Sequence, residues 1–325
     1  MEEYRTDVLV RTPNWIGDAI LSFPALKAIA KKVERTTVIS HSRTAPLFSR
    51  SGLAHEVFSF RSTHELFRIS ISMRSRHFAL GIVFPFSFSS AAFMALTGVR
   101  TRIGYSTGPR RVFFTHPLRL PRNYRERHLV ETYFQLARAV DPDAQYSHPL
   151  LPVESSCTPG VAVGIAPGAT FGPAKRWGIQ RYVELVKRIV GLYGCEVHIF
   201  GGPDEHPLEF ELDRSVRVMV KDFTGKTDIL KTASLIAQCK LMICNDTGIM
   251  HLAAAVGTPV IALFGSTNPS WTGPLGPAHS VLRKPVPCAP CYQRTCPYGT
   301  NECLRAISVE EVVDCVNRYL SHPPR

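Results

Sequence analysis

The feature that most constrains this chain is an alternation that recurs along its length. A short apolar run is followed by a loop of small and polar residues, then by a stretch with helical apolar spacing. The clearest copy lies in the second half. Leu241-Met242-Ile243-Cys244 reads as a buried strand, and Asn245-Asp246-Thr247-Gly248-Ile249-Met250-His251 follows it. Leu252-Ala253-Ala254-Ala255-Val256 reads as helix, and Val260-Ile261-Ala262-Leu263-Phe264 as the next strand. This is a strand–loop–helix–strand unit of a parallel α/β sheet. Asp246 and Thr247 stand where a helix N-cap belongs, and Gly248 lets backbone approach a ligand closely. Open α/β sheets bind ligands outside the carboxyl ends of their strands. The free N–H groups and dipole of a helix start favour phosphate there. His251 falls one turn inside, on a face that could look at such a ligand. The same residues also suit an ordinary capped helix with a surface histidine.

The alternation begins with strand Asp7–Val10, a loop to Asp18, a helix from Ala19 to Lys32 and strand Thr36–Ser40. Right-handed crossover makes such a βαβ unit parallel. Strands are expected at Glu56–Phe60, Phe78–Phe84 and Thr101–Tyr105, and helices at Ala45–Ser51, Thr63–Arg74, Ser89–Leu96 and His128–Val140. Thr107–Arg127 is basic, aromatic and without period, and reads as loop. Asp141–Gly160, rich in Pro, Ser and Asp, reads as the domain boundary. The second half restarts with strands Val161–Ala166, Glu196–Phe200 and Val216–Val220. Its helices are Ile179–Tyr193, one ending near Asp213, and Asp228–Gln238. It closes with helix Ser308–Leu320, opened by the capping box Ser308-Val309-Glu310-Glu311. The length of 325 residues suits two domains, 1–157 and 158–325. The expected fold is α/β, two doubly wound Rossmann-like domains facing each other across a cleft.

Composition narrows the class. Hydrophobic content is 45% and charged content 20%, which supports large cores and excludes a disordered chain. No apolar run reaches the ~18 residues of a membrane span. The best candidate, Phe78 to Leu96, is broken by Gly81, Pro85 and serines. The charged start Met1-Glu2-Glu3-Tyr4-Arg5 is not a secretory signal, so cytoplasm is the expected compartment. The net charge of +12 is concentrated before residue 156, where 21 Lys+Arg face 12 Asp+Glu. That excess suggests a phosphorylated substrate, nucleic acid or an anionic membrane surface as partner, or simply a solvated basic face. No G-x-G-x-x-G opens either half, which counts against a nicotinamide or flavin enzyme, and G-x-S-x-G, H-E-x-x-H and a Walker A loop are also missing.

Three further stretches suit chemistry. Gly17-Asp18 places a carboxylate at a strand end beside a helix dipole, where it can take a proton from a hydroxyl or merely stabilise the helix. Ala166 to Trp177 is a Gly/Pro-punctuated loop with Thr170, Lys175, Arg176 and Trp177, and its lysine suits neutralisation of a diphosphate leaving group. In Phe200-Gly201-Gly202-Pro203-Asp204-Glu205 the glycines admit a nucleotide and the acids suit ribose hydroxyls. Separately, Cys288, Cys291, Cys296 and Cys303 fall within sixteen residues. They read as a structural zinc or iron–sulfur loop, or as reduced or redox-labile thiols. Of the other five cysteines (Cys157, Cys195, Cys239, Cys244, Cys315), at least three read as small core residues.

In this order the loops resemble those of the ADP-heptose:lipopolysaccharide heptosyltransferases, glycosyltransferase family 9. The resemblance is carried by Asn14-Trp15-Ile16-Gly17-Asp18, by Pro167 to Trp177 and by Asn245 to Ala255. Phe223-Thr224-Gly225 and Leu263 to Pro269 support it. The Gly172-Pro173-Ala174-Lys175-Arg176-Trp177 run is most similar to members that add the second heptose of the inner core. The resemblance implies a GT-B fold and metal-independent transfer with inversion at the anomeric carbon. It implies Asp18 as general base, Lys175 compensating the diphosphate, and an acceptor side with Asn14, Trp15 and Gly17. Donor contacts would come from Thr170, Asp204 or Glu205, Thr224, Asp246, Thr247, Gly248 and His251. It implies ADP-heptose as donor and heptosyl-Kdo-lipid A as acceptor, with the protein peripheral at the cytoplasmic face of the inner membrane of a Gram-negative-type bacterium. The basic first half, with Arg100, Arg102, Arg110, Arg111, Arg119, Arg122, Arg125 and Arg127 in or beside its long loop, suits such a phosphorylated lipid. Two alternatives remain: another GT-B transferase or nucleotide-sugar epimerase with a different donor, and a non-enzymatic binder of nucleic acid or membrane. The carboxylate and phosphate loops weigh against the last, so no nucleic-acid partner is expected.

Overall fold

A computed structural model describes residues 4–153, 162–205 and 208–321. The chain forms two compact units, Met1–Pro152 and Val153–Arg325. The boundary expected between 157 and 158 lies outside the described residues.

Each unit is organised on a parallel sheet. The first holds β1 (Tyr4–Arg11), β2 (Val33–His41), β3 (Glu56–Phe60), β4 (Leu80–Val83), β5 (Thr101–Tyr105) and β6 (His116–Leu118). Their spatial order is β3-β2-β1-β4-β5-β6. The second holds β7 (Val163–Ala166), β8 (Val197–Ile199), β9 (Val220–Asp222), β10 (Leu241–Asn245), β11 (Val260–Phe264) and β12 (His279–Arg283). Read from its other edge, its order β12-β11-β10-β7-β8-β9 is the same plan. The central strands are covered on both faces by helices, which is why they read as unbroken apolar runs. Val8, Leu9 and Val10 of β1 and Leu241 to Cys244 of β10 are wholly inaccessible to solvent.

This order fixes where chemistry can sit. The chain winds one way from β1 and the opposite way from β4, so the loops leaving these adjacent strands diverge and open a crevice. The same holds between β7 and β10, which pair in parallel from Leu241↔Val163 to Cys244↔Ala166. The loop after β1 carries Asp18. The loops after β7 and β10 carry Lys175 and Asp246.

Several local expectations differ from the structure. The helix expected over Ala19–Lys32 is two, Ile16–Leu21 and Phe23–Ala30. Ser22 turns its hydroxyl onto Ala19 O at 2.6 Å, and Pro24 has no N–H for a continuous ladder. Asp18 therefore lies inside the first turn of a helix. The stretch Thr107–Arg127 contains a 3₁₀ turn, Gly108–Phe113, and the edge strand β6. The strand expected at Val216–Val220 is instead a helical turn, Arg214–Arg217, with β9 starting at Val220. The helix expected to end near Asp213 is a 3₁₀ turn, Leu208–Glu211. The capping box is present: Glu311 N–H donates to Ser308 Oγ at 3.2 Å, and Ser308 N–H donates to Glu311 Oε2 at 2.9 Å. Cys195, Cys239, Cys244 and Cys315 are buried, and Cys157 lies outside the described residues. No helix among the described residues is long and apolar enough to cross a membrane.

Candidate active site

In the first unit the loop after β1 is held from below by Arg11, which is 1% exposed. Its guanidinium donates to Thr12 O and to Asn14 Oδ1, the latter at 2.6 Å, and lies 4.6 Å from the centre of the Phe60 ring. Burial pulls its pKa down to about 9. Asn14 and Trp15 are thereby presented outward, Trp15 with 48% of its surface exposed, while Gly17 is buried. Asp18 is partly exposed in the first turn of the helix Ile16–Leu21. Its charge, after burial, helps hold the Tyr133 phenol well above the ordinary range. The arginines divide. Arg102 is tied to Val99 O and Phe113 O at 2.6 and 2.7 Å, and so builds the loop. Arg110 is 2% exposed and lies over Phe114. Arg119 and Arg122 line an open hollow of about 450 Å³ with Ser106, Thr107 and Tyr124.

In the second unit the organising residue is Asn245, the last residue of β10, which the sequence shows at the head of its stretch but gives no role. It is wholly buried. Its Nδ2 donates to Pro167 O at 2.7 Å and Gly168 O at 3.2 Å. Its Oδ1 accepts from Trp177 N–H at 3.3 Å and Tyr182 Oη at 3.1 Å. One amide thus pins both ends of the Pro167–Trp177 loop to the strand beside it. The loop's middle then brings Lys175 Nζ to 2.5 Å from Asp246 Oδ2, with side-chain exposures of 12% and 5%. Thr267 Oγ1, from the loop after β11, donates to the same oxygen at 2.5 Å. Phe171 lies under the lysine, 4.8 Å from ring centre to Nζ. Removing either charge from so buried a pair leaves the other uncompensated, at a cost of about 3–5 kcal/mol.

Asp246 therefore does not cap the next helix. That helix runs Gly248–Ala255, and its N-cap, Thr247, makes no side-chain capping bond. The first-turn N–H groups lack a side-chain cap and point where an anion would be favoured. His251 is buried, 6% exposed, rather than on the surface. Of the two candidate acids, Asp204 is exposed, whereas Glu205 turns inward. A Cβ on Gly168 would fall 1.7 Å from Glu205 Oε2, so residue 168 must be bare for the carboxylate to fit. Thr224, 8% exposed, approaches the same place beside Gly201. Burial raises the pKa of Glu205 against the Gly202 N–H and Arg176, which lower it. Thr170 is exposed at the loop tip.

The four clustered cysteines line one small cavity of about 20 Å³ together with Ala174 and Ser266. Backbone N–H groups of Asn301, Tyr298, Thr300 and Gly299 lower the Cys296 thiol, and burial raises that of Cys303. Among the described residues, no three or more His, Cys, Asp or Glu side chains are gathered so as to hold a metal ion.

Two outcomes follow from this geometry. Asn245→Ala strands two part-buried carbonyls, the buried Trp177 N–H and the Tyr182 phenol, each worth about 1–3 kcal/mol when buried, so urea denaturation should give a destabilisation of several kcal/mol. Glu205 has its pKa raised in the fold, so its ionised form destabilises the protein above that pKa and the penalty vanishes once it is protonated. Glu205→Gln should accordingly melt higher than the parent at pH 7–8, by about 1–3 °C, with the gap closing as pH falls towards 4, read by calorimetry.

Comparison with known proteins gives these sites a family. The model of glycosyltransferase family 9 (heptosyltransferase) matches residues 66–301. The chain is 28% identical over 306 residues to lipopolysaccharide heptosyltransferase 2 of Escherichia coli strain K12, covering 85% of this chain and 87% of that one. It is 25% identical over 331 residues to lipooligosaccharide heptosyltransferase 2 of Campylobacter jejuni serotype O:6, covering 97% and 99%. Among solved structures, ADP-heptose LPS heptosyltransferase II of E. coli superposes with a TM-score of 0.84 at 27% identity, covering 97% of this chain and 98% of that one. The two parallel sheets are those of the GT-B fold, and the chain belongs to glycosyltransferase family 9, the heptosyltransferases.

Proposed function

We propose that this glycosyltransferase moves heptose from ADP-L-glycero-D-manno-heptose to the heptosyl-Kdo-lipid A inner core of lipopolysaccharide, with inversion and without a catalytic metal. The carrying observation is the Lys175–Asp246–Thr267 cluster beside an uncapped helix start at the switch point of the second sheet. Donor and acceptor are taken from the relatives, which are heptosyltransferases 2 of lipopolysaccharide and lipooligosaccharide, and from the matching ADP-heptose enzyme.

In this reading the first domain, expected over residues 1–157, binds the acceptor and the second, over 158–325, binds the donor. Asp18 takes the proton of the acceptor hydroxyl. The resulting oxygen attacks the anomeric carbon on the face opposite the diphosphate, and the bond from that carbon to the phosphate oxygen breaks. ADP departs with the electron pair, and its new charge is met by Lys175 and the first-turn N–H groups at Thr247 and Gly248. Thr170 and His251 contribute to the phosphate and sugar side. Glu205 rather than Asp204 holds the ribose, with Thr224 beside it, because only the former turns inward. Asn14, Trp15 and Gly17 shape the acceptor side. The exposed arginines of the first unit, Arg119 and Arg122 among them, meet acidic lipid headgroups at the cytoplasmic face of the inner membrane, where the protein sits peripherally.

The four thiols around their shared cavity are reduced or redox-labile thiols, or a structural zinc site if a metal draws the sulfurs together. Elemental analysis of the purified chain decides: four titratable free thiols with no metal support the first reading, and about one zinc per chain overturns it in favour of the second.

The base is tested by Asp18→Asn. Turnover, measured as acceptor-dependent ADP release from ADP-heptose, should fall by about 10²–10⁴-fold with ADP affinity unchanged. Retention of the full rate removes Asp18 from that role. Thermal stabilisation by UDP-sugars, with none by ADP or ADP-heptose, overturns the donor assignment.

A further inference from the structure

The segment between β12 and the helix Glu302–Arg305 has no strand or helix of its own, yet it is fastened to the turn that carries Lys175. Ala174 N–H donates to Arg294 O at 3.0 Å, and Asn301 Nδ2 donates to Pro173 O at 3.1 Å. Tyr292 N–H donates to Ser266 O at 2.8 Å, next to Thr267. A Cβ on Gly172 would come within 2.3 Å of Arg294 O, so the two backbones lie flush. Residue 294 is thus placed against the donor turn by backbone contacts that do not depend on its side chain.

That side chain goes to the same aromatic surface as the lysine. The Arg294 guanidinium lies 5.2 Å from the centre of the Phe171 ring, and Lys175 Nζ lies 4.8 Å from it. The two cations are not in the same electrostatic state. Lys175 is ion-paired with Asp246, so the pair carries no net formal charge. A departing nucleoside diphosphate gains negative charge on its terminal phosphate oxygen, and a neutralised lysine compensates it only in part. Arg294 rests on the ring face with no carboxylate partner among the described residues. Its planar fork matches two phosphate oxygens, which an ammonium group does not.

We infer that Arg294 is a second cation of the donor site, engaging the diphosphate of the nucleotide alongside Lys175. The inference rests on the donor reading above. It makes the cysteine-containing segment a contributor to the donor site, through one exposed and therefore salt-sensitive contact.

The test is calorimetric titration of the full-length protein, of Arg294→Gln and of Arg294→Lys with ADP and with AMP at two salt concentrations. Arg294→Gln should weaken ADP about tenfold while leaving AMP unchanged, and should flatten the salt dependence of ADP binding. Arg294→Lys should restore part of the loss. Equal weakening of ADP and AMP marks a structural effect on the turn and overturns the inference, as does ADP binding that matches the parent. If the parent binds neither nucleotide, the donor reading itself fails.

Discussion

Everything in the second unit's site depends on one buried amide. A loop of eleven residues after a strand has many conformations, and its own glycines and prolines do not choose one. Asn245 chooses, because both of its polar atoms are satisfied only when the loop's entry at Pro167–Gly168 and its exit at Trp177 lie against the end of β10. A buried amide with unmet donors would cost more than the net value of the bonds it makes, so the arrangement acts as a condition and not as a mild preference. The Lys175–Asp246 contact is downstream of it. Asp246 follows Asn245 directly, so the residue that sets the loop and the residue that receives its lysine move as one piece.

The electrostatics are arranged with similar economy. Two groups converge on a single carboxylate oxygen, one charged and one neutral. Thr267 fixes where that oxygen points, and the ion pair then fixes the lysine. The same carboxylate is thereby withdrawn from the helix start, which leaves that end of the helix polar and positive. In the first unit a buried cation, Arg11, plays the corresponding supporting role for the loop that presents Asn14 and Trp15. Neither unit leaves its loop geometry to loop sequence alone.

The sequence disclosed the fold where burial is two-sided. β1, β10 and β11 are continuous apolar runs because helices cover both faces, and such runs are visible without any structure. It was silent on two partly exposed edge strands, β6 and β12, though it placed the edge strand β3 at its observed bounds, and Val216–Val220 looks apolar enough for a strand while Asp213 starts a helical turn there. The candidate residues divide the same way. Asp18, Lys175 and Asp246 stand in loops directly after strands, and their position is a local property. Asn245 hid at the end of an apolar run, where its one signal was polarity at a fully buried place. Thr267 and Arg294 owe their relevance to contacts with residues 21 and 120 or more positions away, which no window on the sequence joins.

The attachment of the cysteine-bearing segment has a consequence for variation. It holds the turn through the carbonyl of residue 294 and the Asn301 side-chain amide, and holds the neighbouring Ser266 through the N–H of residue 292. Apart from Asn301, the side chains along that stretch take no part in these hydrogen bonds. Gln293 and Thr295, both exposed, are neighbouring places at which the surface beside the Lys175 turn can be retuned by substitution without disturbing the geometry beneath, in the way a setting holds different stones.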